Sequence, residues 1–307
     1  MSQDQAKSQQ QTTGHVWDDD LQEFNNPLPT WWLWTFYLSI IFALVYWVFY
    51  PSWPIGKGFL TGTGTITYVN DKGVEKTTHW NTRALLMKDL QEARESQKKY
   101  VDKVAAMPYE QLKTDPEAFG FVASAGGVLF KDNCTPCHQS GGAGKMAFAP
   151  NLTDDDWIYG GSYEKIEASI TNGRHGIMPP KGGADINDGE IESLANHVLK
   201  LSGEPADEAK AAAGAELFSG KAVCFSCHGP EGKGNQDIGA ANLTDKIWLW
   251  ADVPAAGTPE AKVAAVKAVI ASGLNKGVMP AMKDRLNAQQ IKLLTAYVHD
   301  TLGGGKQ

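Results

Sequence analysis

The chain has 307 residues, 42% of them apolar and 21% charged, and a formal charge of −7. That composition excludes wholesale disorder, a collagen-like fibre and a disulfide-dense scaffold. The acidic balance, with a pI near 5.5, argues against nucleic acid as a partner, because phosphate binding needs a basic face. A mean hydropathy of −0.31 excludes a polytopic membrane protein but leaves room for one span.

Residues 1–30 read as a polar N-terminal tail, with Lys7 and His15 as its only candidate cations. Residues 31–50, Trp31 to Tyr50, form a run of twenty without a formal charge. At a rise of about 1.5 Å per residue the run reaches roughly 30 Å, the thickness of a hydrocarbon core. Trp31, Trp32, Trp34 and Tyr37 mark one end, and Trp47, Tyr50 and Trp53 the other, as headgroup-level anchors do. The reading is a single transmembrane helix. A buried core helix is the rival, but core helices rarely carry aromatics at both ends of so long an uncharged run. A cleaved signal peptide fits poorly, because bulky Pro51-Ser52-Trp53-Pro54 stands where small residues would be needed. Charge leaves the orientation open: Lys7 is far upstream, Asp18, Asp19 and Asp20 are nearer, and Lys57 follows the span. Counting Lys and Arg alone points the C-terminal side inward, but long domains translocate largely regardless of charge.

Residues 51–120 read as a linker. Thr65 to Val69 has strand character and turns at Asn70-Asp71-Lys72-Gly73. Thr82 to Ala105 has helical periodicity, with Leu86, Leu90, Ala93, Tyr100 and Val104 near one face and Glu92, Glu95, Lys98 and Lys99 opposite. That helix either packs on the chain's own following domain or docks another membrane subunit.

All four cysteines fall in two motifs, Cys134-Thr135-Pro136-Cys137-His138 and Cys224-Phe225-Ser226-Cys227-His228. C-x-x-C-H is the attachment signature of c-type haem. Two thiols one helical turn apart reach the two vinyl groups of one porphyrin, and the adjacent His stands under the iron. Zinc or disulfide chemistry is the alternative, and a zinc site would unite both pairs in one cluster. A repeat argues that each pair has its own domain. Gly127 to Phe130 before the first motif matches Ala215 to Phe218 before the second. Asn151-Leu152-Thr153 with Trp157 matches Asn242-Leu243-Thr244 with Trp248, and Gly176 to Pro179 matches Gly277 to Pro280. Each copy ends in an apolar-periodic helix, Ile191 to Leu201 and Ile291 to Leu302. Two copies of one domain follow, 121–203 and 207–303, joined at Gly203-Glu204-Pro205, with an insertion near Pro254 to Pro259 in the second.

The repeated pattern resembles the all-helical class I cytochrome c domain. The fold expected is mainly α: one N-terminal transmembrane helix followed by two tandem domains of that class. The resemblance implies two covalently bound haem c groups, on Cys134 and Cys137 and on Cys224 and Cys227. It implies His138 and His228 as proximal iron ligands and Met178 and Met279 as distal ones. A lone Met is more often core filler, but these two share a repeat position and each precedes Pro. His175 is the rival to Met178, since imidazole binds iron well. Met282 is a weaker rival to Met279, and Met146 reads as packing. His197 aligns with Tyr297 and reads as a ring packed on a motif helix. His15, His79 and His299 have no partner visible in the sequence. His/Met ligation fills both axial positions and raises the reduction potential relative to bis-His. That favours electron relay without a catalytic residue.

Asn25-Asn26-Pro27-Leu28-Pro29 with Trp31-Trp32, then Tyr50-Pro51-Ser52-Trp53-Pro54, is similar to the anchor of the dihaem subunit of cbb3-type cytochrome c oxidases. So are Ala106-Met107-Pro108, Asn133 and Pro150-Asn151-Leu152-Thr153-Asp154. The first distal loop, Arg174 to Pro180, departs from the Gln-Met-Pro-Ala-Phe-Gly type of that subunit. The resemblance implies a non-catalytic subunit that passes electrons from a soluble or membrane cytochrome c to an oxidase reducing oxygen and pumping protons. The implied partners are a catalytic haem–copper subunit, a monohaem cytochrome c subunit and the lipid bilayer. Haem attachment of this kind occurs outside the bacterial cytoplasmic membrane, which puts both haem domains in the periplasm. The charge of −7 fits steering of a basic cytochrome. Two other readings stay open. One is a stand-alone tether serving periplasmic reductases or dehydrogenases. The other is a dihaem enzyme such as a peroxidase, which needs an open or differently ligated iron.

Overall fold

The computed structural model describes residues 11–70 and 72–303, so Lys7 and Asp71 lie outside the described residues. The chain divides into two units, Met1–Gln97 and Lys98–Gln307.

The first unit opens with a hairpin the sequence reading did not anticipate. Strands Thr12–Trp17 (β1) and Leu21–Phe24 (β2) pair antiparallel, with Trp17 opposite Leu21. Helix α1 (Thr30–Phe49) is the expected span displaced by one residue, and none of its side chains is buried. It is long and apolar enough to cross a membrane. It stops at Tyr50 because Pro51 follows, and a residue before proline is driven out of the helical region. The short strands β3 (Pro54–Ile55) and β4 (Gly58–Phe59) form a two-residue hairpin. The expected strand Thr65–Val69 (β5) pairs antiparallel with Glu75–His79 (β6). This hairpin is tied to the end of α1: Gly64 N–H donates to the Phe49 carbonyl (2.8 Å), and the Trp80 ring stands edge-on to Tyr50 at 5.0 Å. Helix α2 (Thr82–Ala106) begins in this unit, its first turn closed by Ala84 N–H on Asn81 Oδ1 (2.9 Å). Its apolar face is not buried as one stripe. Ala84 and Val104, near the two ends, are buried, whereas Leu86 and Leu90 are 56% and 43% exposed. Periodicity finds a face but not how much of it meets a partner.

The second unit is helical. Short helices Tyr109–Leu112 (α3) and Pro116–Phe121 (α4) follow α2. Asp115 caps α4 through Ala118 N–H (2.9 Å) and pairs with Lys103 (2.8 Å). A π-helical turn, Val122–Gly126, continues into α5 (Gly127–Asn133). The first motif forms the single turn α6 (Thr135–His138), and α7 (Tyr163–Asn172) follows a long loop. Then come α8 (Asp188–Leu201) and α9 (Glu208–Ser219), the second motif turn α10 (Phe225–His228), α11 (Pro259–Ser272) and α12 (Ala288–Ala296), which ends in the π-turn Tyr297–Thr301. The duplication extends to the caps. Asn187 with Glu190 and Asn287 with Gln290 form the same capping box at the starts of α8 and α12.

The packing cores do not coincide with the two sequence copies. One core gathers Phe130, Ile166 and Ile170 of the first copy with Met282, Leu286, Ile291, Leu294 and Val298 of the second. The other gathers Ile186, Ile191, Leu194, Val198 and Leu199 of the first with Phe218, Val253, Val266 and Ile270 of the second. Each copy therefore sends its last helix to the other's motif. The Tyr297 ring covers Gly126 before the first motif, and Ser193 and His197 cover Gly214 before the second, so closely that neither glycine tolerates a Cβ. His197 packs on a motif helix as expected, its ring 5.3 Å from Phe218, but the helix belongs to the other copy. The joint between the two copies is a tight turn packed inside one core. Between α8 and α9, Asp207 N–H donates to buried Asn196 Oδ1 (2.9 Å), and Lys210 pairs with Glu192 (2.5 Å).

The chain crosses over itself where the two distal loops meet. Arg174 and Met279 exchange both backbone hydrogen bonds (2.9 and 2.8 Å), and Met178 and Leu274 do the same (2.8 Å each). Gly173 and Gly273, with φ of +70° and +64°, bring the backbones together. A Cβ on Gly173 would overlap the Met279 carbonyl, and one on Gly273 the Met178 carbonyl.

Candidate haem sites

Each motif begins with a half-buried cysteine, Cys134 or Cys224, and places an exposed one, Cys137 or Cys227, a helical turn later. The amide of His138 donates to the Cys134 carbonyl (2.9 Å) and that of His228 to the Cys224 carbonyl (3.0 Å). Burial pushes the Cys134 thiol up to about 11 and raises that of Cys224. These are poor thiolates, which disfavours a reactive dithiol. The pairs sit in different cores, Cys134 in one and Cys224 in the other, which is contrary to a shared zinc cluster.

The two histidines are held identically. His138 Nδ1 lies 3.0 Å from the Pro150 carbonyl, and His228 Nδ1 lies 2.9 Å from the Ala241 carbonyl. A carbonyl only accepts, so each Nδ1 carries the proton and each Nε2 keeps its lone pair for a metal. Burial lowers both imidazole pKa values from the ordinary 6.5, which keeps the rings neutral. The loops after the motifs explain the repeated Asn-Leu-Thr. Asn151 Oδ1 accepts from Thr153 N–H (3.0 Å) and Oγ1 (2.8 Å), and Asn242 accepts from Thr244 at 3.0 and 2.7 Å. These turns let Leu152 N–H close on Gly142, and Leu243 N–H on Gly232, at 2.7 Å each.

The distal residues follow the crossover. Met279 packs on the core that contains Cys134, Leu152 and Trp157. Met178 is paired with Leu274, and its chain runs on into Ala184 and Ile186 of the core that contains Cys224, Leu243 and Trp248. His175 is exposed and bonded through Nε2 to Asn275 Oδ1 (2.8 Å). Met282 is buried core. Met146, expected to pack, is 39% exposed; the turn that carries it is closed by backbone alone, with Lys145 N–H on the Ala149 carbonyl (2.8 Å).

Several groups had no signal in the sequence. His299 bonds Asp300 (2.9 Å), which accepts from Tyr163 OH (2.8 Å), and the His299 ring stacks on Tyr163 at 3.8 Å. Asp156 is pushed up to about 6 by burial and by the facing carboxylates Asp245 and Asp154. A cavity of about 640 Å³ lies beside Cys227, lined also by Asp156, Trp157, Phe225, Gly234 and Asn242.

The chain matches two family descriptions. Residues 9–57 match the N-terminal domain of cytochrome oxidase-cbb3, FixP. Residues 122–198 and 209–298 each match cytochrome c oxidase, cbb3-type, subunit III. The chain belongs to the cbb3-type cytochrome c oxidase subunit III family. Its relatives in that family align along most of their length. The cbb3-type cytochrome c oxidase subunit FixP of Azorhizobium caulinodans is 40% identical over 304 residues, 96% of this chain and 94% of the relative. The CcoP subunit of Rubrivivax gelatinosus is 39% identical over 94% of this chain and 83% of its own length, and that of Cereibacter sphaeroides is 35% identical over 96% and 95%. The family brings haem c with it. The residues present fit that group: two neutral histidines each have a free Nε2, each stands beside two cysteines, and the buried Trp248 Nε1–H has no partner among the described residues. An acceptor on a bound haem would satisfy this indole.

Proposed function

We propose that the chain is a membrane-anchored dihaem cytochrome that relays electrons from a donor cytochrome c into a cbb3-type oxidase, which reduces oxygen to water and pumps protons. The observation that carries this is the duplicated motif turn, with each histidine fixed through Nδ1 on a carbonyl, in a chain that also has one apolar helix fit to span a membrane. Each bound haem c supplies a one-electron iron couple. Cys134 and Cys137 would attach one and Cys224 and Cys227 the other, and His138 and His228 would hold the irons through Nε2.

The exchanged packing supports a crossed distal pairing: Met279 for the haem on the first motif and Met178 for the haem on the second. The sequence copies alone suggest the opposite pairing. The paired loops and the buried apolar shell around each motif hold the thioethers in place and exclude water. With a histidine and a methionine both holding the iron, no position would be left for oxygen or peroxide, and the thioether would favour a positive potential. The N-terminal tail lies in the cytoplasm and both haem domains in the periplasm, where they meet the donor cytochrome and the haem–copper and monohaem subunits.

A haem-stained native gel of gently solubilised membranes tests the assignment. A band with c-type and b-type signals together and oxygen-dependent oxidase activity is expected. A band with c-type haem alone, near the mass of this chain or its dimer, contradicts it.

A further inference from the structure

The crossed loops are not electrically equivalent. At the position where the first copy carries Arg174, the second carries Leu274, one residue after the crossover glycine in each case. Arg174 is half-buried and exchanges both backbone bonds with Met279. Its side chain is held from two sides. Nε–H donates to Ser169 Oγ (2.9 Å), and Ser169 Oγ–H in turn donates to the Lys165 carbonyl (2.8 Å). The guanidinium carbon lies 4.6 Å over the Tyr159 ring. A guanidinium has five N–H donors, and Ser169 takes one. Among the described residues no carboxylate pairs with Arg174, although twelve lysine–carboxylate pairs form elsewhere. A cation held in place with N–H donors to spare is suited to take an anion. Guanidinium geometry suits a carboxylate. At the equivalent place beside Met178, Leu274 offers only methyl groups, and the cation of that loop, Lys276, lies two residues farther on and is exposed.

We propose that Arg174 is a positioning residue for the haem that Met279 ligates: its guanidinium pairs with a propionate of that haem and holds the iron at a higher reduction potential than the Met178-ligated haem. This rests on the reading that both methionines are iron ligands. A cation near the ring disfavours the extra positive charge of ferric iron. Arg174 therefore makes the Met279 haem the stronger electron acceptor of the two, so electrons entering the chain settle there.

Redox titration of the full chain in its solubilised complex tests this. Met279→His and Met178→His first mark which of the two c-type signals belongs to which methionine. Arg174→Gln is expected to shift the ferrous-to-ferric ratio of the Met279 haem about tenfold toward ferric at fixed ambient potential, about 59 mV for one electron, and to leave the Met178 haem in place. Arg174→Lys, which keeps the charge, is expected to retain most of the potential. An unmoved Met279 haem, an equal shift of both haems, or a Lys variant as displaced as the Gln variant overturns the proposal. If Met279→His changes neither haem spectrum, the ligand reading itself fails and the role of Arg174 falls with it.

Discussion

Replacing Gly273 by alanine probes the crossover most sharply. Gly273 has φ +64° and ψ −174°, a region open essentially to glycine, where another residue costs about 1–3 kcal/mol. The added methyl would overlap the Met178 carbonyl and the Pro179–Pro180 backbone. Relief requires the loops to separate, which breaks the two 2.8 Å bonds between Met178 and Leu274. At about 1 kcal/mol each, these bring the expected destabilisation to roughly 3–5 kcal/mol. The first structural consequence falls on Met178, not on the Met279 that follows Gly273 in sequence. Chemical denaturation gives the stability change. The far-red methionine–iron band of the ferric protein gives the site, with Met178→His as the marker of the affected haem. A Gly273→Ala protein that loses less than about 1 kcal/mol, or that loses only the band belonging to Met279, refutes the crossed loops.

Three further outcomes follow from the same account. Met279→Ala should leave both haems covalently attached, lower the potential of one and open it to carbon monoxide; an unchanged redox titration removes Met279 from the ligands. Asp156 is raised from its ordinary 3.8 to about 6, so the folded state binds the proton more tightly than the unfolded state. Its ionisation therefore opposes folding, and stability should fall as pH rises from about 4 through about 6; Asp156→Asn should flatten that fall in urea titrations, and an unchanged pH profile contradicts it. Deleting residues 1–50 should release a soluble, haem-loaded fragment, and a fragment still in the membrane pellet after a high-salt wash shows that another segment anchors the chain.

The parts of this molecule legible in its sequence are those fixed by local chemistry. An uncharged aromatic-ended run reads directly as α1, and the residue pattern puts β5 and the start of α2 at the residues the structure gives them. The motif cysteines and histidines are contiguous, so their turn needs no long-range information. The exchange of the last helices was not legible. The copies are alike, and a ring over a motif-helix glycine satisfies either pairing: Tyr297 serves Gly126, and His197 serves Gly214. One signal did bear on it. Leu201 and Glu208 are only six residues of connection apart, and so short a link between helices makes them antiparallel neighbours. Gly203-Glu204-Pro205 therefore both joins the two copies and turns a helical hairpin between α8 and α9. Arg174 and Asp156 were invisible for another reason. Their roles depend on what the crossover and the paired loops bring near them, and composition carries none of that.

The central claim is that electrons pass through this chain on their way to oxygen. Stopped-flow mixing of the oxidised complex with reduced donor cytochrome c, followed at the c-type and b-type absorbances, tests it directly. The account predicts that the c-type haems of this subunit reduce before the b-type haems, and that Met279→Ala slows the b-type phase. Reduction of the b-type haems first, at a rate indifferent to Met279, contradicts it.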